Sequence, residues 1–154
     1  MNRKFFQRGG WWVLGQNSLL LAVFILGIGF GKAPQFGLTL IFATVFFLAF
    51  AICAIAGLKT LGRNLTVFPK PRAQAELVQH GIYKVIRHPL YTALICLAAG
   101  WSLLWQSHPA LVATVILAIY LDAKARREER WLQEQFSDYE HYAKHVRRFI
   151  PWVY

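Results

Sequence analysis

The sequence predicts an all-α integral membrane protein: a helical bundle with about four transmembrane helices, followed by a C-terminal cytoplasmic amphipathic helix. Three observations support this prediction. Charged residues make up only 16% of the 154 residues, against about 25% in ordinary globular domains. The deficit is concentrated in three uncharged runs, and lysine and arginine are distributed unevenly between the segments that flank those runs.

The first two uncharged runs are each long enough for one membrane span. They cover residues 11–31 and 33–58, with 21 and 26 residues. A bilayer core of about 30 Å requires about 20 helical residues, because each residue adds about 1.5 Å. A buried bundle in a soluble protein is the alternative, but these runs leave no polar outer face for such a bundle.

The third run, 89–121, has 33 residues and is too long for a single span. Pro109 lies near its middle, and proline disfavours a helix interior. We therefore expect a helical hairpin whose arms are 89–105 and 109–121, with a turn at 106–108.

The basic residues predict the orientation of the spans. Sixteen of the 17 lysines and arginines precede the first run, lie in the 59–88 loop or follow residue 121, and only Lys32 lies between the first two runs. The positive-inside rule then places both termini and the loop in the cytoplasm. As a separate expectation, the membrane is a prokaryotic inner membrane. A net charge of +10 can also indicate nucleic-acid binding. Topology and attraction to anionic lipids already explain the bias, so we expect membrane lipids and no nucleic acid as partners.

We interpret residues 1–154 as a single domain in four parts. These are the first two spans (1–58), a cytoplasmic loop (59–88), the hairpin (89–121) and a cytoplasmic tail helix (122–154). The tail prediction depends on apolar residues that recur at helical spacing between charges. Those residues are Trp131, Leu132, Phe136, Tyr139, Tyr142, Ala143 and Val146.

Polar residues flank the predicted hairpin at both ends. One cluster spans 87–91 and the other 124–129, and antiparallel arms bring the two together at the cytoplasmic interface. His88 and Tyr91 are about one helical turn apart, and Lys124 and Glu128 share a helix face. Taken singly, each could be a helix cap, an interfacial anchor or a solvated charge. Their joint occurrence indicates a functional site.

Several motifs resemble those of a known family. They are Gly81-x-Tyr83, Arg87-His88-Pro89-x-Tyr91, Glu128-Glu129, Phe136-x-x-Tyr139-x-x-Tyr142 and Arg148-Phe149-Ile150-Pro151. Over about 61–151 the chain resembles the isoprenylcysteine carboxyl methyltransferases, integral membrane enzymes related to the phospholipid N-methyltransferases.

The resemblance implies S-adenosylmethionine as methyl donor and no metal. It implies a cofactor-binding role for Lys70, Leu77, Val78, Tyr83, His88, Pro89, Leu90, Tyr91 and Glu128. It implies catalytic roles for Lys124 and Glu128. Some eukaryotic members have an arginine at the position of Lys124, where it contacts the acceptor; lysine lacks the planar pair of donors that suits a carboxylate.

The residue chemistry agrees with this cofactor. A carboxylate such as Glu128 can pair with the ammonium group of the donor, and His88 can serve its carboxylate or a ribose hydroxyl. The rings of Tyr83 and Tyr91 suit the sulfonium or the adenine. Because the donor is already activated, the enzyme mainly aligns two substrates, which can contribute about 7–11 kcal/mol.

The expected function is therefore methyl transfer to a lipophilic acceptor that enters from the bilayer, most simply the carboxylate of a prenylated cysteine. A phospholipid amine or a small thiol is an alternative acceptor. A nicotinamide-dependent membrane reductase of related architecture and a non-catalytic lipid-binding module are alternative functions. Cys53 and Cys96 fall inside predicted spans, where we expect them to pack against apolar neighbours.

Overall fold

A computed structural model describes residues 5–6, 8–66, 68–71 and 74–154. Arg3, Lys4 and Arg72 of the predicted basic segments lie outside these residues. The α-helices are α1 (Gly10–Phe30), α2 (Leu38–Leu61), α3 (Pro89–Leu104), α4 (His108–Gln135) and α5 (Tyr139–His145). Short 3₁₀ turns at Gly62–Asn64 and Gly81–Lys84 lie in the connection between α2 and α3.

Three helices in the described part of the chain are long and apolar enough to cross a membrane. They are Gly10–Phe30, Leu38–Asn64, which includes the 3₁₀ turn after α2, and His108–Gln135. Helix α3 is also apolar, but its 16 residues span only about 24 Å. Many large apolar side chains point outward and are more than half exposed, as lipid-facing side chains are: Leu21, Ile25, Ile28, Phe42, Ile52, Val112, Val115 and Ile119. The predicted membrane helical bundle is confirmed.

Helix α3 lies at the centre of the bundle and packs against α1, α2 and α4. Small residues allow α2 and α3 to approach closely, as is common between membrane helices. A Cβ at Gly100 would lie 3.0 Å from the Phe47 ring, and one at Gly57 would lie 2.8 Å from the Leu90 side chain. This packing fixes the start of α3, where the Arg87-His88-Pro89 motif lies, against the end of α2.

The hairpin forms with slightly different bounds from those predicted, because α3 ends at Leu104 and α4 begins at His108. Gln106 adopts a left-handed conformation in the turn, with φ of 49°. The Ser107 hydroxyl caps α4 by accepting from the Ala110 amide at 3.3 Å and donates to the Leu26 carbonyl at 2.9 Å. The turn is thereby attached to α1.

The C-terminal part differs from the single predicted tail helix over 122–154. Residues 122–135 continue α4, because no glycine or proline interrupts the helix after Leu121. The 28 residues of α4 span about 42 Å, more than the bilayer core, so its polar half extends beyond the hydrocarbon region. The chain leaves the helix at Phe136, and the amphipathic helix that follows, α5, has only seven residues.

Residues after α5 return to the start of α3. Ile86 and Arg147 form a short parallel bridge, in which the Arg87 amide donates to the Arg147 carbonyl at 2.8 Å. Tyr139, Tyr142 and Val146 form a buried cluster next to this bridge. We call this end of the bundle, which carries loop 62–88, the polar half of α4 and residues 136–154, the basic end.

Candidate functional site

The basic end contains an open cavity of about 850 Å³, a volume that includes the space at its mouth. Its walls come from the end of α2, the loop that follows, the start of α3, the polar half of α4 and α5. Apolar and polar side chains both line this cavity, as is usual in small-molecule sites.

Most residues predicted for the cofactor line this cavity. They are Leu77, Val78, Tyr83, His88, Leu90, Tyr91 and Glu128. Pro89 is buried at the first position of α3, where its ring faces Gly57, and does not line the cavity. Lys70 is exposed and is also absent from the lining, so the structure does not bring it together with the other predicted residues.

Glu128 presents its carboxylate to the cavity wall. The Tyr91 hydroxyl donates to Glu128 Oε2 at 2.5 Å, and the Tyr91 ring stacks on the His88 ring with a centroid distance of 5.2 Å. Within the described part of the chain, no lysine or arginine forms an ion pair with Glu128. This carboxylate is therefore available to a cationic ligand.

Glu129 points to a different set of partners, although it is adjacent to Glu128. Its Oε1 lies 3.0 Å from Arg87 Nη2 and 3.1 Å from His88 Nε2, and its Oε2 lies 2.8 Å from Arg148 Nη2. Hydrogen bonds to Glu129 raise the pKa of Arg148, which keeps that guanidinium charged. We call Arg87, His88, Glu129 and Arg148 the Glu129 cluster; it is largely buried and connects α3, α4 and the C-terminal segment.

Arg87 is fully engaged in holding these segments together. Besides Glu129, its Nη1 donates to the Ala143 and Val146 carbonyls, at 2.6 Å in each case. The neighbouring wall is fixed in a similar way, since the Tyr142 hydroxyl donates to the Tyr83 carbonyl at 2.6 Å. The C-terminal segment thus shapes the cavity.

Lys124 lies behind the cavity wall rather than in it. Its side chain is buried, and the residue is only 2% exposed. The ammonium donates to Gln16 Oε1 of α1 at 2.7 Å and lies 4.9 Å from the centroid of the Tyr91 ring. Tyr91 therefore contacts both residues for which the sequence predicted a catalytic role.

Sequence reasoning assigned no role to several residues that build the site. Arg148 and Tyr139 belong to motifs of the family that the sequence resembles, so the motifs could have indicated a role for them. Asn64 and Glu76 belong to none of those motifs. Both line the cavity, and Asn64 Oδ1 accepts from the Glu76 amide at 3.2 Å, a contact that depends on how the loop folds.

Residues 38–139 match the model of a protein family described as phospholipid methyltransferase. The match covers more than half of the chain. The chain belongs to the phospholipid methyltransferase family. Membership confirms the resemblance that the motifs indicated. The matched part of this family member includes α2, α3, α4 and most of the cavity lining, whereas α1 and Arg148 lie outside it.

This family member is similar to proteins that carry several different names. It is 30% identical over 82 residues to a probable protein-S-isoprenylcysteine O-methyltransferase of Oryza sativa subsp. indica, covering 52% of this chain and 43% of the relative. It is 33% identical over 72 residues to methanethiol S-methyltransferase 1 of Bradyrhizobium diazoefficiens, covering 46% and 25%. It is 31% identical over 106 residues to a Delta(14)-sterol reductase of Mus musculus, covering 66% and 23%. The matched region spans less than half the length of each of these relatives.

Proposed function

We propose that the protein is an S-adenosylmethionine-dependent membrane methyltransferase that transfers a methyl group to a lipophilic acceptor. The main support is the Glu128 carboxylate, which faces the cavity and forms no ion pair with a lysine or arginine in the described residues. Membership of the phospholipid methyltransferase family supports the same reaction class.

The cavity lining fits the chemical groups of this cofactor. Glu128 would pair with its ammonium group, and the rings of Tyr83 and Tyr91 would face the sulfonium or the adenine. Leu77, Val78 and other apolar lining residues would cover the nucleoside. Burial raises the pKa of Tyr83, so its phenol stays neutral. When bound, S-adenosylmethionine supplies a methyl group already activated on a sulfonium.

The positive-inside rule supports an orientation with the basic end in the cytoplasm. In that orientation, a water-soluble cofactor reaches the cavity from the cytosol. A lipophilic acceptor reaches the same level of the bundle from the bilayer. The protein then contributes alignment of the two substrates and exclusion of water, which are the main requirements of a direct methyl transfer.

We propose that Lys124 anchors the polar group of the acceptor. The relatives named for protein-S-isoprenylcysteine favour a prenylated cysteine carboxylate. The buried Lys124 ammonium donates to the Gln16 amide oxygen and lies over the Tyr91 ring. An ammonium has three donors, so it can also donate a hydrogen bond to such an anion.

The function is tested by supplying radiolabelled S-adenosylmethionine to membranes that contain the protein and identifying the labelled molecule. Calorimetry on the purified protein in detergent gives a second measurement, with S-adenosylmethionine and its demethylated product as ligands. Binding of both compounds and a labelled lipophilic product are expected. If neither compound binds at millimolar concentration, the proposed function is wrong.

A reductase is the second candidate, because the mouse sterol reductase matches 66% of the chain. A reduced nicotinamide cofactor carries phosphates and needs cationic partners. Arg87 is the one lysine or arginine among the described residues that line the cavity, and it is already bound to Glu129 and two carbonyls. Preferential binding of a nicotinamide cofactor in the same calorimetry would support this candidate.

Lys124→Met tests the proposed anchor, because methionine keeps an unbranched side chain and removes the charge. With N-acetyl-S-farnesylcysteine as acceptor, we expect the KM for the acceptor to rise about tenfold, the factor that corresponds to loss of one charged hydrogen bond. The Kd of the demethylated cofactor should stay the same, because Lys124 does not line the cavity. Equal losses for both ligands would show that Lys124 supports the whole bundle instead.

A further inference from the structure

Tyr139 has a buried hydroxyl next to the cavity. The residue is 1% exposed, and its ring forms part of the cavity wall. Its Oη is buried and has no hydrogen-bond partner among the described residues. A buried hydroxyl without a partner is a net cost to a folded protein, and such groups are rare unless a ligand or a water satisfies them.

Two other tyrosine hydroxyls at this cavity are satisfied by protein atoms. The Tyr91 hydroxyl donates to Glu128, and the Tyr142 hydroxyl donates to the Tyr83 carbonyl. Burial, and then the nearby Glu129 carboxylate, raise the pKa of Tyr139. Its hydroxyl therefore remains a neutral donor at any physiological pH.

The corner around Tyr139 contains carboxylates and a guanidinium. Glu128, Glu129 and Arg87 all lie close enough to act electrostatically on its hydroxyl. Glu129 is neutralised by Arg87 and Arg148, and the hydrogen-bond donors of Arg87 are directed to Glu129 and to backbone carbonyls. In this corner, Glu128 is an acidic group without an ion-pair partner among the described residues, and Tyr139 Oη is a buried donor without a hydrogen-bond partner among them.

We infer that Tyr139 donates its hydroxyl to the amino-acid carboxylate of S-adenosylmethionine, an inference that rests on the proposed function. The ammonium and carboxylate of that cofactor are attached to one carbon. If Glu128 holds the ammonium, the carboxylate must lie beside it, where the Glu128 carboxylate would repel it unless a donor is present. The Tyr139 hydroxyl supplies that donor. Tyr139 is then a determinant of specificity for the complete amino-acid end of the cofactor.

Tyr139→Phe combined with a modified cofactor tests this assignment. Decarboxylated S-adenosylmethionine keeps the sulfonium and the ammonium and lacks only the carboxylate. We expect Tyr139→Phe to bind S-adenosylmethionine about five- to tenfold more weakly than the wild type, the usual effect of one lost hydrogen bond. Binding of the decarboxylated compound should not change.

Tyr142→Phe is the matched control, because it removes a hydroxyl that is already paired within the protein. Without ligand, Tyr142→Phe should lower the melting temperature in detergent, since the buried Tyr83 carbonyl loses its donor. Tyr139→Phe should leave the melting temperature unchanged or raise it. A decrease in Tyr139→Phe as large as that in Tyr142→Phe would overturn the inference, because the hydroxyl would then have a structural partner.

Different results would contradict the proposed function and the proposed role of Tyr139. If the wild type binds no S-adenosylmethionine, both the proposed function and this inference are wrong. If the wild type binds it and Tyr139→Phe binds it equally well, the inference alone is overturned. The same holds if Tyr139→Phe weakens both cofactor forms by the same factor.

Discussion

Glu129→Ala is expected to destabilise the protein by about 3 kcal/mol or more, the usual result when one partner of a buried ion pair is removed. The substitution leaves the largely buried Arg87 guanidinium without a carboxylate partner among the described residues, and it leaves Arg148 with Asp122 as its carboxylate partner. The His88 ring also loses the carboxylate at its Nε2. Thermal denaturation in detergent measures the loss as a lower melting temperature.

The position of the loss can be measured separately by hydrogen exchange. The amides of Arg87 and His88 donate to the Arg147 and Arg148 carbonyls, and their exchange should accelerate when the Glu129 cluster is broken. Glu140→Ala is the matched control, because Glu140 pairs with Lys144 on the exposed face of α5 and should cause no measurable shift. An unchanged melting temperature in Glu129→Ala would contradict the structural role of the cluster.

Glu128→Gln is expected to weaken binding of S-adenosylmethionine about 10- to 100-fold while leaving the melting temperature nearly unchanged. Removing the charge eliminates a charge-assisted hydrogen bond to the ammonium group, and such bonds are stronger than neutral ones. The amide oxygen of glutamine still accepts from the Tyr91 hydroxyl, so the wall of the cavity is preserved. Calorimetry with the demethylated product measures the effect without turnover.

Lys70→Ala provides the comparison for this second prediction. Lys70 is exposed and does not line the cavity, so its replacement should leave the affinity unchanged. A wild-type affinity in Glu128→Gln would show that the ammonium group of the cofactor does not bind this carboxylate. The proposed arrangement of the cofactor would then have to be abandoned.

The sequence does not predict which of Glu128 and Glu129 faces the cavity. The Glu128-Glu129 pair could be recognised as one motif, but successive residues of an α-helix point about 100° apart. One carboxylate consequently faces the cavity, and the other faces Arg87 and Arg148. Only the rotation of α4 against its neighbours decides which residue takes which role, and no local pattern encodes that rotation.

Much of the fold could be predicted because the bilayer imposes simple rules on length and charge. The uncharged runs predicted α1, α2 and the hairpin, and Pro109 predicted a turn at 106–108, one residue from the observed turn at 105–107. The tail could not be predicted in the same way. The apolar residues of 131–146 keep helical spacing, yet α4 ends before Phe136, and Tyr139 and Tyr142 pack with Leu77 and Leu132. The contact with Leu77 is distant in sequence, and such contacts outweigh the local preference for a continuous helix.

The parallel bridge between Ile86 and Arg147 has a consequence for biosynthesis. Arg87 is synthesised 42 residues before Glu129 and 59 residues before Val146, which accepts one of its hydrogen bonds. Helices α1 to α4 therefore precede in the chain the segment that completes the cavity. We expect the cavity wall to form last, when residues 143–148 fold back onto the start of α3.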